Sequence, residues 1–313
     1  GRFTHNGTAY TTLSSLLAAV GGTYSRASTA TYYDASGTLQ TASTNTPRFD
    51  YDPVTHVFKG LLLEDARTNY TKDSANIISA NWTNEGGSSV LTSNATTAPD
   101  GTITADKIVD TAGNIRHILI PAAMPLTSGT TYTSTFYAKA AEHQYIQSLF
   151  GSAAFGGTAY ANFLLSGSGS VTYTAASISS ATITNVGNGW YRCRISAPAL
   201  ITTTDFHHFI ALTNNSNNTT RTPSYIGTGG GVYVWGFQTE AGNFPTSYIA
   251  TGASTAIRNG DTLSIPTGAW YNQSAGSASQ NVSWETGSGS GYPILWRFDD
   301  GTGNNRWNMW IFQ

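Results

Sequence analysis

The sequence predicts an all-β protein: an antiparallel β-sandwich of jelly-roll type, with a short N-terminal helix and a second, partial β-rich segment at the C-terminus. Composition is the first reason. Aromatic residues make up 12% of the 313 residues, with 17 Tyr and 8 Trp, while charged residues make up only 10%. A disordered chain is poor in aromatics and rich in charge, so this one folds. Abundant Thr, Ser, Asn, Gly and Tyr favour short strands and tight turns over long helices. The second reason is alternation, because runs of period two recur from Asn76 to Thr251. The third is punctuation: Ser166-Gly167-Ser168-Gly169 and the stretch from Asn214 to Thr220 separate such runs. Many short strands at this spacing close into a sandwich or jelly roll.

The helix comes first. Leu13, Leu16, Leu17 and Val20 follow helical spacing, Thr11 and Thr12 can cap the start, and Gly21-Gly22 can end it. So short a helix needs packing to persist, either on its own domain or on symmetry mates near a threefold axis. From Ser25 to Tyr70 the chain is extended and turn-rich. Asp34-Ala35-Ser36-Gly37 reads as a turn between two short strands, and Gly60-Leu61-Leu62-Leu63-Glu64 as a buried strand.

Within the central region Tyr132, Ser134, Phe136 and Ala138 alternate with Thr133, Thr135, Tyr137 and Lys139. Tyr191, Cys193 and Ile195 alternate with Trp190, Arg192 and Arg194. Phe206, His208, Ile210 and Leu212 share one face of another strand, and Tyr233, Trp235 and Phe237 share one face of the next. After Thr251 a linker leads to Leu263-Ser264-Ile265-Pro266, then to Val282-Ser283-Trp284 and Ile294-Leu295-Trp296-Arg297-Phe298. Asp299 to Asn305 is a hairpin loop signal, with Arg306 to Phe312 as its return strand. The expected division is 1–75 (helix and extended attachment or trimer segment), 76–251 (jelly roll) and 252–313 (linker and the start of another β domain). That last piece is marginal alone and needs a continuation or other chains to complete its core.

Net charge is −2, so nothing pulls the chain toward nucleic acid or an anionic membrane. The single cysteine, Cys193, excludes an intrachain disulfide framework. No apolar run approaches the roughly 20 residues of a spanning helix. The stretch from Leu16 to Val20 lacks the basic flank of a signal peptide.

Several segments carry a resemblance. They are Ser25-Arg26-Ala27-Ser28 to Tyr32 with Asn45-Thr46-Pro47-Arg48-Phe49-Asp50-Tyr51-Asp52-Pro53; Gly60 to Glu64 with Arg67-Thr68-Asn69; and Ala98-Pro99-Asp100-Gly101-Thr102 with Ala105-Asp106-Lys107. To these add Gly189-Trp190-Tyr191-Arg192-Cys193, and Val232 to Gly242 followed by Ser247-Tyr248-Ile249-Ala250-Thr251. In order and spacing they resemble bacteriophage and prophage head-spike or tail-fibre virion proteins carrying a carbohydrate-binding-module-like jelly roll. The residues from 266 onward are similar to the opening strands of a concanavalin-like lectin domain. The resemblance implies a place on the phage particle surface, a homotrimer in contact with other virion proteins, and contact with bacterial surface polysaccharide. Glu64, Arg67 and Asn69, with Trp235 and Glu240, belong to the resembling motifs. Among them an arginine paired with a carboxylate can tie a loop to the sandwich.

Glycan binding uses flat aromatic faces with amides and carboxylates on the hydroxyls. Trp190, Arg192 and Arg194 share one strand face and form a sugar platform if Cys193 points inward; the alternative is that Trp190 packs at a sheet edge. Trp82, Tyr145 and Gln147 are further sugar-contact candidates, whereas Tyr233, Trp235 and Phe237 read as core. His207 and His208 are adjacent, so one is expected inside and one outside, without zinc. No resident cofactor is expected. Asp50 and Asp52, with Glu64 or Glu240, are candidates for a structural calcium; Asp299-Asp300 with Asn304-Asn305 could do likewise, but turn formation accounts for those residues. The 17 acidic residues show no catalytic pairing pattern, and no Gly-x-Ser-x-Gly elbow or phosphate-cradling loop is present. The expectation is therefore a non-enzymatic virion subunit contributing to host attachment. The alternatives are a dedicated receptor-binding lectin and a polysaccharide depolymerase.

Overall fold

A computed structural model describes residues 3–5, 7–205, 207–214, 219–266, 294–299 and 306–310. Twelve strands build a sandwich. They are β1 Trp82–Asn84, β2 Ser89–Thr96, β3 Ala105–Asp110, β4 Ile118–Pro121, β5 Thr131–Ala140 and β6 Tyr145–Leu149. They continue with β7 Tyr160–Leu164, β8 Ser170–Thr174, β9 Ser180–Asn185, β10 Trp190–Pro198, β11 Phe209–Leu212 and β12 Gly231–Ala241. One six-stranded sheet runs β2-β3-β12-β5-β10-β9 and the other β8-β7-β6-β11-β4-β1. The pairings are antiparallel throughout. The all-β sandwich read from alternation is what the chain forms.

Alternation positions the core. Tyr132, Phe136 and Ala138 of β5 and Tyr191, Cys193 and Ile195 of β10 face inward, against Ile146, Phe163, Ile210 and Leu212 of the other sheet. Phe136 and Phe237 stack at the centre, 5.4 Å between centroids and 5° between planes. Burying each such side chain contributes about 1.5–3 kcal/mol relative to exposure.

In one place alternation breaks. The register between β5 and β12 shifts between Thr135 and Tyr137, at Gly236, whose φ is 64°. The bulge turns the chain over, so Trp235 stays on the outer face while Phe237 enters the core. The expected single aromatic face of Tyr233, Trp235 and Phe237 is thus divided between two layers.

The outer face of the first sheet is covered. Tyr137, Trp190 and Trp235 pack there with Leu39 from the N-terminal segment and Tyr248 from the segment after β12. The N-terminal segment contributes the paired strands Ala30–Tyr33 and Leu39–Ala42, joined by the expected turn at Asp34–Gly37. It also contributes the hairpin Arg48–Tyr51 with Phe58–Leu62. Leu61 and Leu62 are only half-buried and Leu63 is 46% exposed, so the stretch expected as a buried strand lies at the surface.

Two further short pairings, Arg67–Asn69 with Ala256–Arg258 and Thr23–Ser25 with Thr262–Ser264, bring sequence-distant segments together. The helix, α1 at Leu13–Val20, is capped by Thr12 and closed by Gly21 in the left-handed region. It packs against neighbouring strands of its own unit, burying Leu13 and Leu17.

A buried ion network locks these segments. Arg26 pairs with Asp261 at 3.0 Å, and Arg48 with Asp261 at 2.5 Å and with Glu64 at 2.7 Å. Arg258 also pairs with Glu64. The chain divides into two compact units, Gly1–Val282 and Ser283–Gln313. In the second unit Ile294–Asp299 pairs antiparallel with Arg306–Trp310, as a hairpin requires. Phe206, Val282-Ser283-Trp284, the loop from Asp300 to Asn305, and Ile311-Phe312 at the end of the expected return strand lie outside the described residues.

Candidate functional site

The expected sugar platform on β10 is not at an open surface. Cys193 does point inward, and Trp190, Arg192 and Arg194 do share the other face, but that face lies beneath the covering segments. Trp190 is 2% exposed and donates from Nε1 to the Thr97 carbonyl at 3.1 Å. Arg192 donates to the Thr246 carbonyl at 2.7 Å and to Thr135 Oγ1 at 3.2 Å, beside the Tyr137 ring. Arg194 donates to the Asn243 carbonyl. The two arginines hold down the loop after β12.

Two of the other sugar-contact candidates, Trp82 and Gln147, are similarly engaged. Trp82 is buried 4.6 Å from the Phe237 ring and donates to the Asp73 carbonyl at 3.3 Å. Gln147 is fully buried; it donates to Asn162 at 2.8 Å and to the Thr220 carbonyl at 3.1 Å, and accepts from the Thr222 amide at 2.7 Å. Tyr145 is half-buried at the start of β6.

The motif residues tie the layers together, with one change of partner. Glu64 pairs with Arg48 and Arg258 rather than Arg67, whose guanidinium lies over the Phe244 ring at 5.1 Å. Burial pushes the Glu64 carboxyl up, but Arg258 and Arg48 outweigh it and bring it down to about 2. Asn69 uses its whole amide: Nδ2 donates to the Phe237 and Ile249 carbonyls, and Oδ1 accepts from the Thr71 and Thr239 amides. Glu240 accepts from Gln238 and from the Thr246 amide and hydroxyl. Trp235 donates to Thr104 Oγ1 at 3.0 Å.

Asp50 accepts from the Tyr33 amide at 2.8 Å, while Asp52 caps the following turn through the Val54 and Thr55 amides. Their local bonds account for both carboxylates. Among the described residues no cluster of three or more His, Cys, Asp or Glu is placed to hold a metal ion. His207 and His208 are both buried, which corrects the expected inside–outside split. They precede β11 instead of lying within it, so strand alternation does not apply. His207 meets Thr71 Oγ1 at 3.1 Å and His208 meets Ser148 Oγ at 3.0 Å, and burial lowers each to about 3.

An accessible cleft of about 480 Å³ opens at the edge of the first sheet, lined by Asp73, Ala75, Asn76, Ile78, Ser93, Asn94, Thr104, Asp106 and Thr251. Small-molecule sites run to about 300–1,000 Å³. Asp73 and Asn94 adopt left-handed backbone, φ 46° and 52°, which Asp and Asn tolerate better than most residues. Asp106 on β3 joins the two walls: Oδ1 accepts from the Asn94 amide and Oδ2 from the Ile77 amide, each at 3.0 Å. Burial raises the Asp106 carboxyl, opposed by those two amides. Asp73 accepts from Asn81 Nδ2 at 2.7 Å. Exposed Asn94 and Ser93, together with Ile78 at 45% exposure, supply an amide, a hydroxyl and an aliphatic surface.

Sequence reading missed this cleft. Asp106 stood within a recognised motif, but its neighbours come from separate segments that only folding joins. A second hollow, about 360 Å³, is lined by Glu85, Ser88, Asn114 and Arg116 among others, and its charges already pair, Arg116 to Glu85 at 2.8 Å. No helix among the described residues is long and apolar enough to cross a membrane. No protein-family model matches the chain, and no curated protein matches it.

Proposed function

We propose that this chain is a structural, non-catalytic subunit of a bacteriophage particle, a head-spike or tail-fibre component that trimerises and helps attach the particle to surface glycans of its bacterial host. The observation that carries the reading is the polar cleft beside β3. An amide at Asn94, a hydroxyl at Ser93, the carboxylate of Asp73 and the aliphatic side of Ile78 match the mixed surface of a sugar, with the buried Asp106 bracing the walls between them. The ordered motifs between Ser25 and Thr251 that resemble virion proteins support the placement on a particle. Without an aromatic platform in the cleft, single contacts are weak. Repetition on a trimer and over a particle then raises effective concentration without new contacts.

The test is an array of host surface polysaccharides probed with the purified chain, alongside light scattering. The reading expects weak but saturable binding, reduced at least about tenfold by Asn94→Gly, and a mass of three chains. Glycine removes the amide while suiting the left-handed backbone. A monomer that binds no glycan overturns the reading.

A further inference from the structure

Among the described residues the cleft is lined by the half-buried Asp73 carboxylate, with the buried Asp106 carboxylate behind it, and by no Lys, Arg or His. From this charge pattern we propose that it selects uncharged or amino-bearing sugars and rejects acidic ones, an inference that rests on the glycan-attachment reading above.

Asp106 is 2% exposed and both its oxygens accept from backbone amides, so it fixes a negative charge in the wall of the cleft and leaves hydrogen bonding to a ligand to Asp73. Asp73 is half-buried and uses Oδ2 on Asn81. A carboxylate accepts hydrogen bonds from sugar hydroxyls and, more strongly, from a protonated sugar amine. A uronate or sialate brings a third negative charge into the same partly desolvated space, where like charges repel far more than in bulk water. No cation among the described lining residues offsets that repulsion, and the chain as a whole is net −2. The Asn94 amide both donates and accepts, so it serves neutral hydroxyls without regard to charge.

The experiment compares matched glycans ending in a neutral hexose, a free-amine hexosamine, or the corresponding uronate or sialate, on the purified full chain. Acid-terminated glycans are expected to bind at least about tenfold more weakly than neutral ones at low salt. The gap narrows as salt rises, because screening weakens the repulsion. Asp73→Asn should shrink the gap several-fold; asparagine still accepts from Asn81 and tolerates the φ of 46°. Ser93→Asp, at an exposed position of the same cleft, should widen it, so the inference does not depend on one variant folding. Equal binding of acidic and neutral glycans, or a gap that neither variant moves, overturns the selectivity while leaving attachment standing. Absence of binding to every glycan overturns both.

Discussion

Glu64 stands between two arginines whose side chains are cut off from water, Arg48 and Arg258, and keeps only 12% exposure itself. Removing Glu64 leaves the buried Arg258 without its carboxylate partner, while Arg48 keeps Asp261. Glu64→Ala is therefore expected to cost about 3–5 kcal/mol of stability, measured by denaturant unfolding. The pH dependence has a definite sign. The folded Glu64 carboxyl titrates at about 2, below its ordinary value, so its contribution is present above the unfolded range and lost as pH falls toward 2. His207 and His208 act in the same direction, because each is lowered by burial to about 3. Between their ordinary range near 6.5 and 3 the unfolded chain binds more protons than the folded one, so stability falls with falling pH. The unfolding midpoint should drop as pH is lowered from about 7 to about 4, and a flat profile would contradict the burial of the histidine pair.

Strand β12 shows what one glycine does to an element. A Cβ on Gly236 would sit 2.8 Å from Tyr137 Cδ2, on backbone at φ 64°. Gly236→Ala combines left-handed strain of about 1–2 kcal/mol with that overlap. It is expected to lower stability by about 2 kcal/mol or more, read as a drop in the thermal midpoint. The periodicity of β5 and β10 was legible because regular strands send alternate residues to alternate faces. The division of Trp235 from Phe237 was not, since a glycine in a strand pattern is compatible with either a bulge or a regular ladder. The helix was legible for a local reason as well: Thr12 and Ser15 bond reciprocally across its first turn, and Gly21 ends it.

At the scale of the whole molecule, the N-terminal segment is one layer of the fold. Arg26, Arg48 and Glu64 reach Arg258 and Asp261, and Leu39 packs with Trp190 and Trp235. Deleting residues 1–75 removes that cover and strands the buried Asp261. The shortened chain should show red-shifted tryptophan emission and aggregate. A soluble, unshifted product would mean that the sandwich closes without its N-terminal layer.

Composition, alternation and turn residues by themselves determined the all-β class, the inward face of the long strands and the place of the helix, because these depend on neighbours within a few residues. Only the tertiary structure decided that Trp190, Arg192 and Arg194 lie under another layer and that Asp73, Asn94 and Asp106 border one cleft. Alternation says which side of a strand a residue faces. It does not say what covers that side, because the covering residues are far along the chain and their arrival depends on the free energy of the whole fold.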